Sequence, residues 1–160
     1  MYVLPLTKFI QTSLTIGTAE SLTGGAIAKA ISSVPGSSRY FRGAIVAYAE
    51  DVKVSILGVS EQVISDKGVV SEEVVVQMAQ GCRQVLNVDF AIATSGIAGP
   101  GGGTTETPVG TVCISIAGPG FCESWTEFFD GDRTAIVEGV VGKSLEYIEE
   151  TVKRHVISVG

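Results

Sequence analysis

The segment TAESLTGG sets Ser21 directly after a short apolar stretch that reads as a strand and at the opening of a stretch that reads as a helix. A hydroxyl at such a junction stands at a sheet edge, where free N–H groups of a first helical turn can bind an anion or stabilise an oxyanion. Ser21 is therefore a candidate nucleophile, with Thr23, Gly24 and Gly25 as candidate substrate contacts. Two glycines in a first turn weaken a helix and favour close approach to the backbone. The commoner use of these residue types at a strand–helix junction is capping, and Glu20, Ser21 or Thr23 can serve that purpose instead.

A serine hydroxyl is a weak nucleophile until a base takes its proton. The only histidine, His155, lies near the C-terminus with no motif around it. In GAIVAYAEDVK, an apolar strand ends near Tyr48 and Lys53 follows five residues later. If Glu50 opens a helix, Lys53 sits in its first turn, where the helix dipole disfavours a cation, so a functional reason would explain its presence. A lysine partly desolvated beside a phenol can have a lowered pKa, allowing one of the pair to accept the serine proton. The plainer alternative is a half-buried tyrosine at a strand end and a solvated lysine.

The stretch TSGIAGPGGGTTETPVG follows a third apolar strand and carries Ser95, Gly96, Gly101, Gly102 and Gly103. Glycines at this density leave backbone N–H groups free to turn around a phosphate or carboxylate, and Ser95 can bond a ligand at the strand end. No Gly-Lys-Ser/Thr follows, so it is not a Walker loop; a plain flexible connection explains the glycines as well. In FFDGDRTA, Arg133 opens the last helix, where a guanidinium can meet a phosphate or carboxylate bidentately or form a surface ion pair.

The elements that must hold these residues follow from periodicity. A short helix with Pro5 in its first turn carries Phe9 and Ile10, and Leu14 to Ala19 forms the first strand. Glu20 to Ile31 reads as a helix, Gly43 to Ala49 as a nearly wholly apolar strand, and Glu50 to Leu57 as a short helix stopped by Gly58. Ser71 caps the clearest helix, whose apolar face is Val74, Val75, Met78, Ala79, Cys82, Val85 and Leu86. Asp89 to Thr94 is a third strand. Val109 to Ala117 and Phe121 to Phe129 flank Gly118-Pro119-Gly120, a link too short for a crossover, which implies an antiparallel hairpin. A last helix spans about Arg133 to Lys153. Helices between the early strands and a hairpin at the end predict an α/β fold, a mixed sheet with helices on both faces. Ligands collect at the carboxyl ends of strands in such sheets, and Ser21, Tyr48 and Ser95 all fall just after predicted strands.

Composition narrows the function classes. At 160 residues, 45% hydrophobic and 18% charged, the chain fits one globular domain with a core that needs no disulfides. Met1 to Leu14 lacks the pattern of a signal peptide, and a cytoplasmic protein is expected. Cys82, Cys113 and Cys122 contain no CxxC pair, and with a single histidine a zinc site or a Cys–His nucleophile lacks support. A net charge of −6 without a basic cluster disfavours nucleic acid, and no stretch suits a membrane.

The blocks TAESLTGG, PGSSRYFRGAIVAYAEDVK, LGV, GVVSEEVVVQMA, TSGIAGPGGG, PVGTV and FFDGDR, in this order, resemble the CinA C-terminal domain, the family of nicotinamide-nucleotide amidases. The resemblance runs from about Leu14 to the final helix. It implies a three-layer α/β/α sandwich with a mixed sheet, over residues 1–160 as a single amidase domain without a second, N-terminal one. It implies Ser21 as the nucleophile with Tyr48 and Lys53 as partners, and a nucleotide site formed in part by the glycine-rich loop. The expected reaction is deamidation of nicotinamide mononucleotide to nicotinic acid mononucleotide and ammonia, with no metal or organic cofactor. A homo-oligomer is expected, a dimer first.

Several positions depart from the family pattern. Leu22 stands where a cysteine is common, Ala49 and Glu50 replace Ser-Asn, Thr107 replaces a common lysine, and Val137 replaces a second arginine. Glu50 sets a carboxylate beside Lys53, which favours the charged lysine, and the lost cations leave a substrate phosphate fewer partners. Two other readings follow from these departures: a nucleotide-binding or interaction module with impaired catalysis, and an amidase for a related amide.

Overall fold

The computed structural model describes residues 6–157. Pro5 lies outside them. A short helix α1 (Thr7–Gln11) precedes strand β1 (Ile16–Glu20), helix α2 (Ala26–Ser32) and strand β2 (Phe41–Val46). Helices α3 (Glu50–Leu57), α4 (Glu61–Lys67) and α5 (Glu72–Leu86) then lead to β3 (Phe90–Gly96), the hairpin β4 (Thr111–Gly118) and β5 (Phe121–Phe128), and α6 (Arg133–Ile157). The sheet order is β2-β1-β3-β4-β5. β1 pairs in parallel with β2 and β3, while β3–β4 and β4–β5 are antiparallel. This is the expected mixed sheet.

Alternation along β3 decides how the layers pack. Phe90 and Ile92 enter one core with Ile16, Ile114 and the apolar side of α6. Ala91 and Ala93 face the other way, with Ala19 and Ala117, onto Val74, Val75, Met78 and Cys82 of α5. Small side chains on that face let α5 lie close to the sheet, and the two cores make a three-layer α/β/α sandwich. Ser71 caps α5 as expected, its Oγ accepting from the Val74 N–H at 3.3 Å. Val85 does not join the apolar face and is 54% exposed.

Three elements differ from expectation. α2 begins at Ala26 rather than Glu20 because Gly24 and Gly25 have φ of 57° and 103°, a left-handed backbone that cannot continue a right-handed helix. β2 ends at Val46 rather than Ala49 and, apolar as its sequence is, lies at the sheet edge with Arg42, Ala44 and Val46 exposed. α4, capped by Ser60, is an additional helix; none of its residues is buried, so no apolar period marks it in the sequence.

The connections set up the site. The β1-α2-β2 crossover covers one face of the sheet, and the route from β2 through α3, α4 and α5 to β3 covers the other. The chain therefore leaves β1 and β2 toward opposite faces, and a crevice opens at their carboxyl ends. Helix α3 reaches this crevice by packing on α5 at Gly81, where an added Cβ would lie 1.9 Å from the Leu57 carbonyl oxygen. Alanine in a helix interior gains about 0.8–1 kcal/mol over glycine, but a clash with rigid backbone costs about 1–3 kcal/mol. Gly81→Ala is therefore expected to lower the urea midpoint of unfolding; an unchanged or raised midpoint would show that α3 yields freely.

Candidate active site

Ser21 follows β1, Lys53 lies in the first turn of α3, and Tyr48 sits between β2 and α3. The fold brings the first two into contact. Lys53 Nζ lies 2.9 Å from Ser21 Oγ, 2.8 Å from the Ala47 carbonyl and 3.2 Å from the Tyr48 carbonyl. The lysine is 1% exposed and Ser21 8%. Burial lowers the Lys53 pKa from its ordinary value, and the Glu50 carboxylate opposes part of that shift.

The Tyr48 phenol points elsewhere. It is 58% exposed and accepts from Arg133 Nη2 at 2.8 Å, while Arg133 Nη1 donates to the Gly99 carbonyl at 2.7 Å. Arg133 thus ties the loop after β2 to the glycine-rich loop. Tyr48 meets Lys53 through its backbone.

Glu20 takes the helix-start N–H groups. Its fully buried carboxylate accepts from the N–H groups of Gly25, Ile27 and Ala28 at 3.2, 2.9 and 2.9 Å, and from the Thr18 hydroxyl at 3.0 Å. A carboxylate complements the positive end of a helix, so this arrangement fixes α2 against β1 without using Ser21. The idea that these N–H groups serve an incoming anion does not fit, since Glu20 already occupies them. Thr23 is buried too, its hydroxyl 3.0 Å from that of Thr94 on β3.

A cavity of about 210 Å³ opens beside the pair. Ser21, Leu22, Tyr48, Glu50 and Lys53 form one side, and Val69, Val70, Ser95 and Gly96 the other. Ser95 donates to the Val69 carbonyl at 2.9 Å, so it fastens the α4–α5 link against the end of β3. Val69 and Val70 were not expected at the site from residue type. Thr23, Gly24, Gly25, Gly101, Gly102, Gly103 and Arg133 do not line this cavity. A larger groove of about 930 Å³ between α5 and the β4–β5 turn holds Arg83 and Cys122 but no comparable pairing. Among the described residues there is no cluster of His, Cys, Asp and Glu that could hold a metal ion, and no helix is long and apolar enough to cross a membrane.

Fold and site together define a three-layer α/β/α domain with a lysine–serine pair buried at the switch point of its parallel strands. The chain belongs to the CinA C-terminal domain family, which matches residues 5–152. It is 53% identical over 111 residues to a CinA-like protein of Gloeobacter violaceus, covering 69% of this chain and 26% of that one. A CinA-like protein of Fervidobacterium nodosum is 46% identical over 127 residues, covering 79% and 31%. The chain thus spans about a quarter to a third of these relatives. Among solved structures, the competence/damage inducible protein CihA of Agrobacterium tumefaciens has a TM-score of 0.87 at 37% identity, with 90% of this chain and 88% of that one covered. A CinA superfamily protein of Enterobacter cloacae has a TM-score of 0.88 at 34% identity, covering 91% and 86%.

The buried lysine makes stability depend on pH with a definite sign. With its pKa lowered in the folded protein, the unfolded chain binds more protons at Lys53 between the folded value and about 10.4, so this residue makes stability rise with pH across that window. Below the folded value both states hold the proton, and the cost of burying the charged lysine is at its full, constant value. Urea unfolding of the native protein and of Lys53→Met should therefore show a stability difference that shifts in favour of the native protein as pH increases toward 10. A difference that stays constant with pH would mean that Lys53 titrates alike in both states.

Proposed function

We propose that the chain acts as one amidase domain that hydrolyses a small carboxamide through Ser21, with Lys53 as its general base. The observation that carries this reading is the 2.9 Å contact between Lys53 Nζ and Ser21 Oγ in a buried setting. The two backbone carbonyls accept hydrogens from the nitrogen whatever its charge. The remaining position faces Ser21: in the ammonium it is an N–H that donates to Oγ, and in the neutral amine it is the lone pair that accepts the serine proton. Lowering the lysine pKa increases the second form.

In the first half-reaction the Ser21 proton moves to Lys53 Nζ as Oγ bonds to the carboxamide carbon. Collapse of the tetrahedral intermediate breaks the C–N bond, and Lys53 returns its proton to the departing nitrogen, releasing ammonia. Water then loses a proton to Lys53 and attacks the acyl-serine ester; the C–Oγ bond breaks, Lys53 returns that proton to Ser21 Oγ, and the carboxylic acid is freed. Tyr48 serves through its carbonyl on Lys53. The acceptor amide we infer is that of nicotinamide mononucleotide, supported by the motif resemblance to nicotinamide-nucleotide amidases. A cavity of about 210 Å³ suits a single ring amide, with the rest of the nucleotide outside toward Arg133 and the glycine-rich loop. A cytoplasmic homo-oligomer completes the reading.

The test is ammonia release from nicotinamide mononucleotide, with nicotinamide riboside and simple amides alongside. Ser21→Ala should abolish turnover and leave the thermal transition nearly in place. Lys53→Met should lower kcat by about 10²–10⁴-fold. In the native protein kcat/KM should rise with pH through an apparent pKa below the ordinary lysine value of 10.5. Full activity in Ser21→Ala would remove the nucleophile. A native protein that binds the nucleotide but releases no ammonia would leave a binding module instead.

A further inference from the structure

The cavity beside Ser21 carries one acidic side chain, Glu50, and one basic one, Lys53. For Lys53 to act as a base it must be neutral, and in that form the lining has a carboxylate and no cation. Glu50 opens α3 and is exposed toward solvent. Its neighbours on the adjoining groove, Asp51 and Glu61, are acidic as well. Leu22, Val69 and Val70 add apolar surface. Apolar walls and a carboxylate together are the groups that suit a flat organic cation. Arg133 lies at the outer tip of Tyr48, where it bonds the phenol, and does not line the cavity.

We propose that Glu50 is a specificity-determining residue that makes this cavity prefer an aromatic amide carrying a positive ring charge over a neutral amide of the same shape. The inference rests on the reading of the cavity as the amide site. A carboxylate near the surface attracts a nearby positive charge, and desolvation and salt screening reduce the gain. A preference of about tenfold is the expected outcome. The carboxylate product of such an amide is repelled by the same group, which favours its release.

The probes are 1-methylnicotinamide, a cation, and 3-methylbenzamide, its neutral isostere. Both are titrated calorimetrically into Ser21→Ala, which prevents turnover, and into the double variants Ser21→Ala with Glu50→Gln and Ser21→Ala with Glu50→Asp. The cation should bind about tenfold tighter than the isostere. Glu50→Gln should bring the ratio close to one mainly by weakening the cation, and Glu50→Asp should keep part of it. Raising the salt concentration should reduce the ratio where the carboxylate is present. A ratio unaffected by Glu50→Gln, or no binding of either probe at millimolar concentration, overturns the proposal. Ammonia release from both probes by the native protein is measured separately. Charge preference without Ser21-dependent release would remove the amidase reading and keep the role of Glu50; release without charge preference would do the reverse.

Discussion

Lys53 is long, ionisable and almost wholly buried, and everything around Ser21 is arranged to make that burial tolerable. An isolated ammonium inside a protein is costly unless each of its hydrogens finds an acceptor or the group gives up its charge. Here three acceptors surround the nitrogen: the Ala47 and Tyr48 carbonyls and the Ser21 hydroxyl. Two of them are backbone groups exposed by the end of β2. Had the strand continued to Ala49, those carbonyls could be engaged in strand pairing. The early end of β2 is therefore part of the site.

The serine end depends on Glu20 in the same way. Because Glu20 satisfies the N–H groups at the start of α2, Ser21 has no capping duty and its hydroxyl is left to Lys53. The two left-handed glycines, Gly24 and Gly25, make the turn that lets Glu20, which ends β1, reach those N–H groups. A buried carboxylate on one side of the strand end and a buried lysine on the other thus hold separate partners. The geometry at Ser21 follows from that division, and the chemistry proposed for it needs no further residue to position the base.

Much of the fold was legible because long apolar periods dominate it. The α5 and α6 faces, the three-strand parallel part and the closing hairpin are all written in side-chain alternation, and the short Gly118–Phe121 link forced antiparallel pairing. Where no core face exists, as in α4, periodicity had nothing to show. At the site, Ser21 and Lys53 stood out by type and by place. The direction of Tyr48 did not, since its partner Arg133 is 85 residues away in sequence. Val69 and Val70 reach the cavity only because Ser95 holds their loop, a contact between ordinary residue types that spacing does not reveal. Glu20 was one of three residues able to cap α2, and only the two positive φ angles decide among them.

If neutral Lys53 activates Ser21, the activation can be measured without any choice of substrate. A small fluorophosphonate reacts with an activated serine oxygen, and its rate of attachment can be followed by intact mass and located by peptide mapping. The expected outcome is a single adduct on Ser21, formed faster as pH rises through a midpoint below the ordinary lysine pKa, with the rate and its pH dependence both lost in Lys53→Met. An adduct on another residue, or labelling of Ser21 at the same rate in Lys53→Met, would contradict it.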